Sequence, residues 1–411
     1  MRSPSSFSSF SSLGQSVSRA HLRFAYAIAG VLAGAVSFAF GQSQNFHVFA
    51  QAARDLVRGD DLYVRHAADY FKYSPTFALL FLPFTWVPSW LAAPLWSLLN
   101  FAVALLGIDR VVDDPNQKRV ALGIALAGIV LSTDGDQSNL LVAGAWFLAF
   151  HAFEESRTRT GAAWILFGGF VKLFPVLGAV FALFHPRRGH ALLLFGVAAL
   201  FWAALPLVVC SPLTLIHEYV SWRHLVSWDL GNRGWSVLPL LHDGMHLSWA
   251  NHSMQIVGGC VQAVPIVLGL RFGTDAAWRR TLACSLLTFA VLFNHRTEYA
   301  SFVLSAIAVG IWCATTRLGT LARVLVFLSI VAPGPFFARP DPSVGGFFTF
   351  LAAHREFHPL RVVPLLALWL FMQRDLLKRF VRIELAVPSR VPNLYASASS
   401  AASPGSARRG S

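Results

Sequence analysis

Residues Val120–Phe153 read VALGIALAGIVLSTDGDQSNLLVAGAWFLAFHAF: two apolar runs, Val120–Thr133 and Asn139–Phe153, joined through Ser132, Thr133, Asp134, Gly135, Asp136, Gln137, Ser138 and Asn139. Crossing the roughly 30 Å hydrocarbon core of a bilayer takes about 20 helical residues at about 1.5 Å each. Both runs fall short of that. The pattern therefore predicts a helical hairpin anchored on one side of a membrane, with its turn stopping below the opposite surface. Polar backbone at that depth is tolerated where protein or a watery recess covers it. An ionisable group there costs about 2.5–3.5 kcal/mol on insertion scales, so it usually marks function. The plainer alternative is a hydrated turn in which Ser138 or Asn139 caps the next helix.

The rest of the chain has the same character. Of its 411 residues 55% are apolar and 13% charged, the latter about half the share usual in soluble globular proteins. A soluble enzyme, a disordered protein and a disulfide scaffold are poor fits. The net charge of +13 does not indicate nucleic-acid binding, because the basic residues flank apolar runs instead of forming one patch. The other apolar blocks are Phe24–Phe40, Ser89–Ile108, Gly161–Lys172, Phe174–His185, Ala191–Cys210, Met254–Leu270, Thr281–Phe293, Tyr299–Thr315, Thr320–Phe337 and Pro359–Phe371. They predict one all-α, polytopic integral membrane domain over residues 21–385, with about 10–12 transmembrane or half-spanning helices and helical outer loops. Ser-rich residues 1–20 and Ser/Ala/Pro-rich residues 386–411 are expected to be disordered tails. With both termini cytoplasmic, about two thirds of the 33 Lys and Arg fall on the inner side, as the positive-inside rule requires. Gly30 and Gly34 form a GxxxG pair suited to packing the first helix on its neighbours. Cys210, Cys260, Cys284 and Cys313 stand singly in or beside apolar runs, without zinc spacing.

Two more short hairpins turn through Lys172-Leu173-Phe174-Pro175 and Asn294-His295-Arg296-Thr297-Glu298, on the same side as the first. Lys172, among Phe170, Val171, Leu173 and Phe174, sits where a charge is costly and is read as functional. Two long loops accompany the tips. Residues 41–88 carry Ala52, Ala53, Leu56 and Val57 at helical spacing, predicting an amphipathic helix, and then Asp69-Tyr70-Phe71-Lys72-Tyr73-Ser74-Pro75. Residues 211–253 hold Trp222, Trp228, Trp235 and Trp249 with Glu218, Arg223, Asp229 and Arg233; the indoles read as an interfacial belt or as the floor of a sugar site. His242 and His246 lie at i, i+4 but make no HExxH motif, and no metal or cofactor is expected.

Taken in order, Asn45-Phe46-His47-Val48-Phe49, Gly59-Asp60-Asp61-Leu62-Tyr63, Lys72-Tyr73-Ser74-Pro75, Asp136-Gln137-Ser138-Asn139 and Lys172 with Pro175 resemble the motifs of glycosyltransferase family 87. These are polytopic GT-C enzymes that use polyprenyl-phosphate sugars, notably mannose. The resemblance extends from about Phe24 to Leu370 and implies a bacterial plasma-membrane hexosyltransferase. Its partners would be a polyprenyl-phosphate sugar donor, a glycan or glycolipid acceptor and membrane lipid, with no nucleic acid. The family places an Asp base shortly after the first helix, where this chain has Asn45, and an amide cannot accept a proton at neutral pH. Asp69 is the preferred substitute, ahead of Asp136 and Glu298, although Asp69 could equally cap the following helix. Lys172, Arg296 and Lys72 suit the leaving phosphate, and Asn45, Tyr73, Gln137 and Asn139 suit the sugar. The competing readings are a transporter or flippase of a lipid-linked substrate and a non-catalytic family member.

Overall fold

A computed structural model describes residues 19–65, 69–132, 136–333, 346 and 354–386. The predicted tails, apart from Arg19, Ala20 and Ala386, and the turn residues 133–135, which include Asp134, lie outside the described residues. In chain order the helices are α1 (Arg19–Ala39), α2 (Gln44–Arg58), α3 (Pro75–Phe81), α4 (Ser89–Val111), α5 (Pro115–Ser132), α6 (Asn139–Glu154), α7 (Thr158–Val171), α8 (Arg188–Ala204), α9 (Pro212–Asp229), α10 (Asn251–Phe272), α11 (Ala276–Leu292), α12 (Phe302–Thr315), α13 (Thr320–Val331) and α14 (Val363–Ala386). Among the described residues the only strand-like feature is an isolated antiparallel bridge between Arg65 and Tyr70.

Local chemistry accounts for the boundaries. Ser74 and Ser211 stand at N-cap positions with Pro75 and Pro212 at the first helical position, and each hydroxyl accepts a backbone N–H, from Phe77 and Thr214. Asp275 caps α11 through the Trp278 N–H at 2.7 Å. The block Phe174–His185, expected to be a helix, is a 3₁₀ segment (Phe174–Ala179) followed by one α turn (Val180–Leu183). The coil is pressed so closely on α7 that a Cβ on Gly178 would overlap Ile165.

The centre of the bundle is α4, α6, α11 and α12. Helices α6 and α12 are buried on nearly every face, as expected of helices that are apolar all round and enclosed by protein. Helix α1 packs on α4, α5 on α12, α7 on α6, and α14 on α11 and α13. Gly30 and Gly34 meet the α4 backbone at Leu98 and Pro94, so the GxxxG pair packs within the chain. Among the described residues, three helices are long and apolar enough to cross a membrane, namely Ser89–Val111, Arg188–Val208 and Asn251–Phe272, and α1 with α2, bent by 85°, supplies up to one more. The short inner helices α6 and α12 are enclosed by neighbouring protein along nearly their whole length.

The expected amphipathic helix of the first loop is α2. Ala52, Ala53 and Leu56 are buried and Val57 is exposed. Its Phe46 and Phe49 enter an edge-to-face aromatic cluster with Phe77, Phe81 and Trp96, which fixes this loop on top of α4.

Candidate active site

The three hairpin tips and the two loops close around one cavity of about 740 Å³. Gln137 from the first tip, Lys172 from the second and Asn294–Glu298 from the third all line it. The first loop adds Gln44, Asn45, Asp69, Tyr70, Lys72 and Tyr73, and α9 adds Trp222 and Asp229. The opposite wall is apolar: Leu173, Phe174, Val176 and Leu177 face Phe289, Val291 and Phe293. Leu173 is 59% exposed, and Val176 and Leu177 are also partly open to the outside. The apolar wall therefore continues to the outer surface of the bundle.

The polar wall is a connected network. Lys172 ends α7 in extended backbone, and its ammonium donates to Asn139 Oδ1 at 2.6 Å and Gln137 Oε1 at 3.4 Å. The Gln137 amide donates in turn to Glu298 Oε2 at 3.1 Å. Glu298 also caps the turn before α12 in a reciprocal capping box with Ser301. Asn139 donates to the Ala300 carbonyl at 2.8 Å, tying the first tip to the third. The other two cations are matched to carboxylates, Lys72 to Asp69 Oδ2 at 2.5 Å and Arg296 Nε to Asp229 Oδ2 at 2.6 Å. Among the described residues, Lys172 has no carboxylate within ion-pair distance. It is the one cation on this wall left to be neutralised by something that enters.

Asn45, Asp69, Lys72, Tyr73, Gln137, Lys172, Arg296 and Glu298, all named from the sequence, line this single cavity. Asn139 is buried behind it and holds Lys172. Asp136 is not on the lining. Its carbonyl accepts the Trp96 indole N–H at 2.8 Å, and its carboxyl is directed towards Ser43 and Ser37, where α1 turns into α2. Burial pushes that carboxyl up to about 6, with the two hydroxyls opposing the shift. Its Oδ2 is buried with no hydrogen-bond partner. Asp69 does not cap α3, because Ser74 does; its Oδ1 accepts the Tyr70 N–H at 2.8 Å, and its side chain is 55% exposed beside the opening. Of the four loop tryptophans, Trp222 lines the cavity and donates to the Lys72 carbonyl at 3.3 Å. Trp235 packs on Tyr299 and under Arg361, and Trp228 and Trp249 are exposed.

Asp229 was named in the second loop without a role. It is nearly buried, accepts from Asn232 Nδ2 at 2.7 Å and anchors Arg296. Its neighbour His295 is held towards the neutral form by burial, with Asp229 opposing. The loop after α9 also straps the third tip: the Trp235 N–H donates to the Thr297 carbonyl at 2.6 Å, and Gly234 lies against the same carbonyl with φ +51°. No signal in the sequence joins Asp229 to a tip so distant along the chain. Among the described residues no group of three His, Cys, Asp or Glu side chains is arranged to hold a metal ion.

Fold and site define a membrane-embedded, all-α protein that gathers carboxylates, amides and cations between recessed helical turns and joins them to an apolar wall. The family model of glycosyltransferase family 87 matches residues 71–332, and the chain belongs to that family. It is accordingly a membrane glycosyltransferase, with a sugar donor and a glycan acceptor as its substrates. Lys72, Tyr73, Gln137, Asn139, Lys172, Arg296 and Glu298 fall inside the match, and Asn45 and Asp69 precede it. A search of curated proteins gave no match to the chain.

Proposed function

We propose that the chain transfers a hexose, mannose in the first instance, from a polyprenyl-phosphate donor to a lipid-linked or cell-envelope glycan on the outer face of a bacterial plasma membrane, with both termini cytoplasmic. The observation that carries this reading is the junction, in one cavity, of an unneutralised ammonium and an apolar wall open to the surface of the bundle. A donor with an anionic phosphate and a long hydrocarbon tail is complementary to both. The tail would leave past Leu173, Val176 and Leu177, and the phosphate would meet Lys172, with Arg296 and Lys72 beside it.

In the reaction the acceptor hydroxyl oxygen bonds to the sugar C1 while the C1–O(phosphate) bond breaks. The hydroxyl proton passes to the Asp69 carboxylate, and the bonding pair leaves with the polyprenyl phosphate. Lys172 stabilises the charge gathering on the departing oxygen. Asn45, Gln137 and Tyr73 hold the sugar as oxocarbenium character develops. Asn139 keeps Lys172 in position, Asp229 does the same for Arg296, and Glu298 is the second candidate base. The test is mass-spectrometric detection of sugar transfer by purified protein from synthetic polyprenyl-phosphate mannose to a glycolipid acceptor. Transfer from a nucleotide sugar but not from the polyprenyl donor would sink the donor assignment. Movement of the intact donor across vesicles without transfer would favour a flippase.

A further inference from the structure

Helix α7 ends at Lys172 and begins, about 20 Å away by its rise per residue, at a second cavity of about 540 Å³. This cavity lies where the turn before α7 meets the turn before α8, and nothing in the sugar-transfer reading uses it. Arg157 and Arg159 line it from the first turn, and Arg187 and His190 from the second. The turns are stitched together. His185 Nδ1 accepts the Arg187 N–H at 3.1 Å, which leaves the proton of the neutral ring on Nε2, 3.2 Å from Thr158 Oγ1.

The local carboxylates are already engaged. Glu154 is held by Arg279 Nε at 2.5 Å, and Glu155 by Arg157 at 2.5 Å. Arg159 and Arg187, among the described residues, have no carboxylate within ion-pair distance, so the cavity carries uncompensated positive charge. The residues at the N-caps of α7 and α8, Arg157 and Arg187, make no side-chain cap, so the first-turn N–H groups of both helices add to the attraction for an anion.

The floor indicates what kind of anion. Leu194 lines the cavity, and just beyond it Leu193, Val197 and Leu200 form one stripe of α8, each more than half exposed. A soluble anion has no use for that stripe, whereas a phospholipid has an anionic head and apolar tails joined in this order. We propose that this cavity binds an anionic phospholipid of the leaflet opposite the active site, with its phosphodiester against Arg159 and Arg187 and its acyl chains along α8. The positive-inside arrangement makes that the cytoplasmic leaflet.

The test does not depend on sugar transfer. Full-length protein in a neutral detergent is melted with phosphatidylglycerol, with phosphatidylcholine or with inorganic phosphate. Phosphatidylglycerol should raise the midpoint by about 3 °C or more, as a ligand of the folded state does, and the other two should not. The double variant R159Q/R187Q should lose that shift, while R323Q, which removes an exposed cation elsewhere, should keep it. An equal shift with phosphatidylcholine, a shift reproduced by phosphate alone, or a shift retained in R159Q/R187Q would overturn the proposal. If the double variant does not fold, native mass spectrometry of the single variants decides. Retention of phosphatidylglycerol should fall at least about tenfold in R159Q or R187Q, and wild-type retention in both would overturn the proposal equally.

Discussion

Replacing Lys172 with Met removes an ammonium while keeping most of an unbranched stem. In the resting protein that ammonium donates at 2.6 Å to Asn139 Oδ1 and more weakly to Gln137 Oε1. A hydrogen bond from a charged donor contributes about 1.5–3 kcal/mol, and stranding the buried Asn139 oxygen costs about 1–3 kcal/mol. Against this stands the burial of a charge among Phe170, Val171, Leu173 and Phe174, a cost that Met does not incur. These effects largely offset, so Lys172→Met should fold and melt close to the wild type. The transition state has no such compensation. Charge builds on the leaving phosphate where the ammonium stood, and loss of one preorganised donor costs about 2.7–4 kcal/mol, or about 10²–10³ in kcat. The assay is the initial rate of sugar transfer at saturating polyprenyl-phosphate donor, with melting curves on the same preparations. A variant within about threefold of wild-type kcat would refute the phosphate assignment. A raised KM with unchanged kcat would confine Lys172 to binding the ground state.

Asp69→Asn preserves the acceptor for the Tyr70 N–H and loses only an exposed ion pair of little stabilising value, so its melting temperature should hold while kcat falls at least about 10²-fold; full activity would move the base to Glu298. Asp136→Asn should stay active. Because the folded Asp136 carboxyl is raised to about 6 from 3.8, its protonated form favours folding, and that stability is lost as pH rises through about 6. The asparagine variant should therefore melt higher than wild type at pH 8 and lose the advantage near pH 4; inactivity with normal folding would restore Asp136 as a catalytic candidate. Gly234→Ala must place a Cβ 2.5 Å from the Thr297 carbonyl oxygen at φ +51°, which should cost about 1–3 kcal/mol and disturb Arg296; an unchanged melt and KM would show that the strap yields freely. Arg187→Cys, in a background without Cys210, Cys260 and Cys313, which leaves only the buried Cys284, should resist an impermeant thiol reagent on intact cells and react in inverted vesicles, and labelling from outside would reverse the topology.

The short apolar runs were informative because length and charge together leave little choice. A run too short to cross, closed by a turn containing Gln137, Lys172 or Arg296, must bring those groups to a covered recess. The three tips do meet on one cavity. Helix starts fall at Ser74-Pro75 and Ser211-Pro212, and the first of these frees Asp69 from the capping role that its sequence position left open. What hydropathy cannot register is whether an apolar face meets lipid or another helix, so the run that forms α12 gave no sign that protein would enclose it on nearly every face. Nor does spacing along the chain reveal side-chain partners. Asp229 gave no hint that it holds Arg296, and four similar tryptophans gave no hint that only Trp222 would line the cavity.

The arrangement of amides explains why a charge persists in such a site. Lys172 and Glu298 lie on neighbouring tips with opposite charges, and a direct contact between them would leave the cavity neutral and indifferent to an anionic substrate. Gln137 prevents that contact. Its Nε2 donates to Glu298 at 3.1 Å while its Oε1 accepts from Lys172 at 3.4 Å, and Asn139 takes the closer hold on the ammonium at 2.6 Å. Both charges have their hydrogen-bonding needs met without cancelling one another. An amide is suited to this position because it offers a donor to the carboxylate and an acceptor to the ammonium on one rigid plane; a carboxylate there would tie up Lys172, and an apolar residue would leave both groups poorly solvated. The first tip thus serves the reaction through residues that never need to touch the breaking bond, because it holds a buried positive charge in reserve for the phosphate.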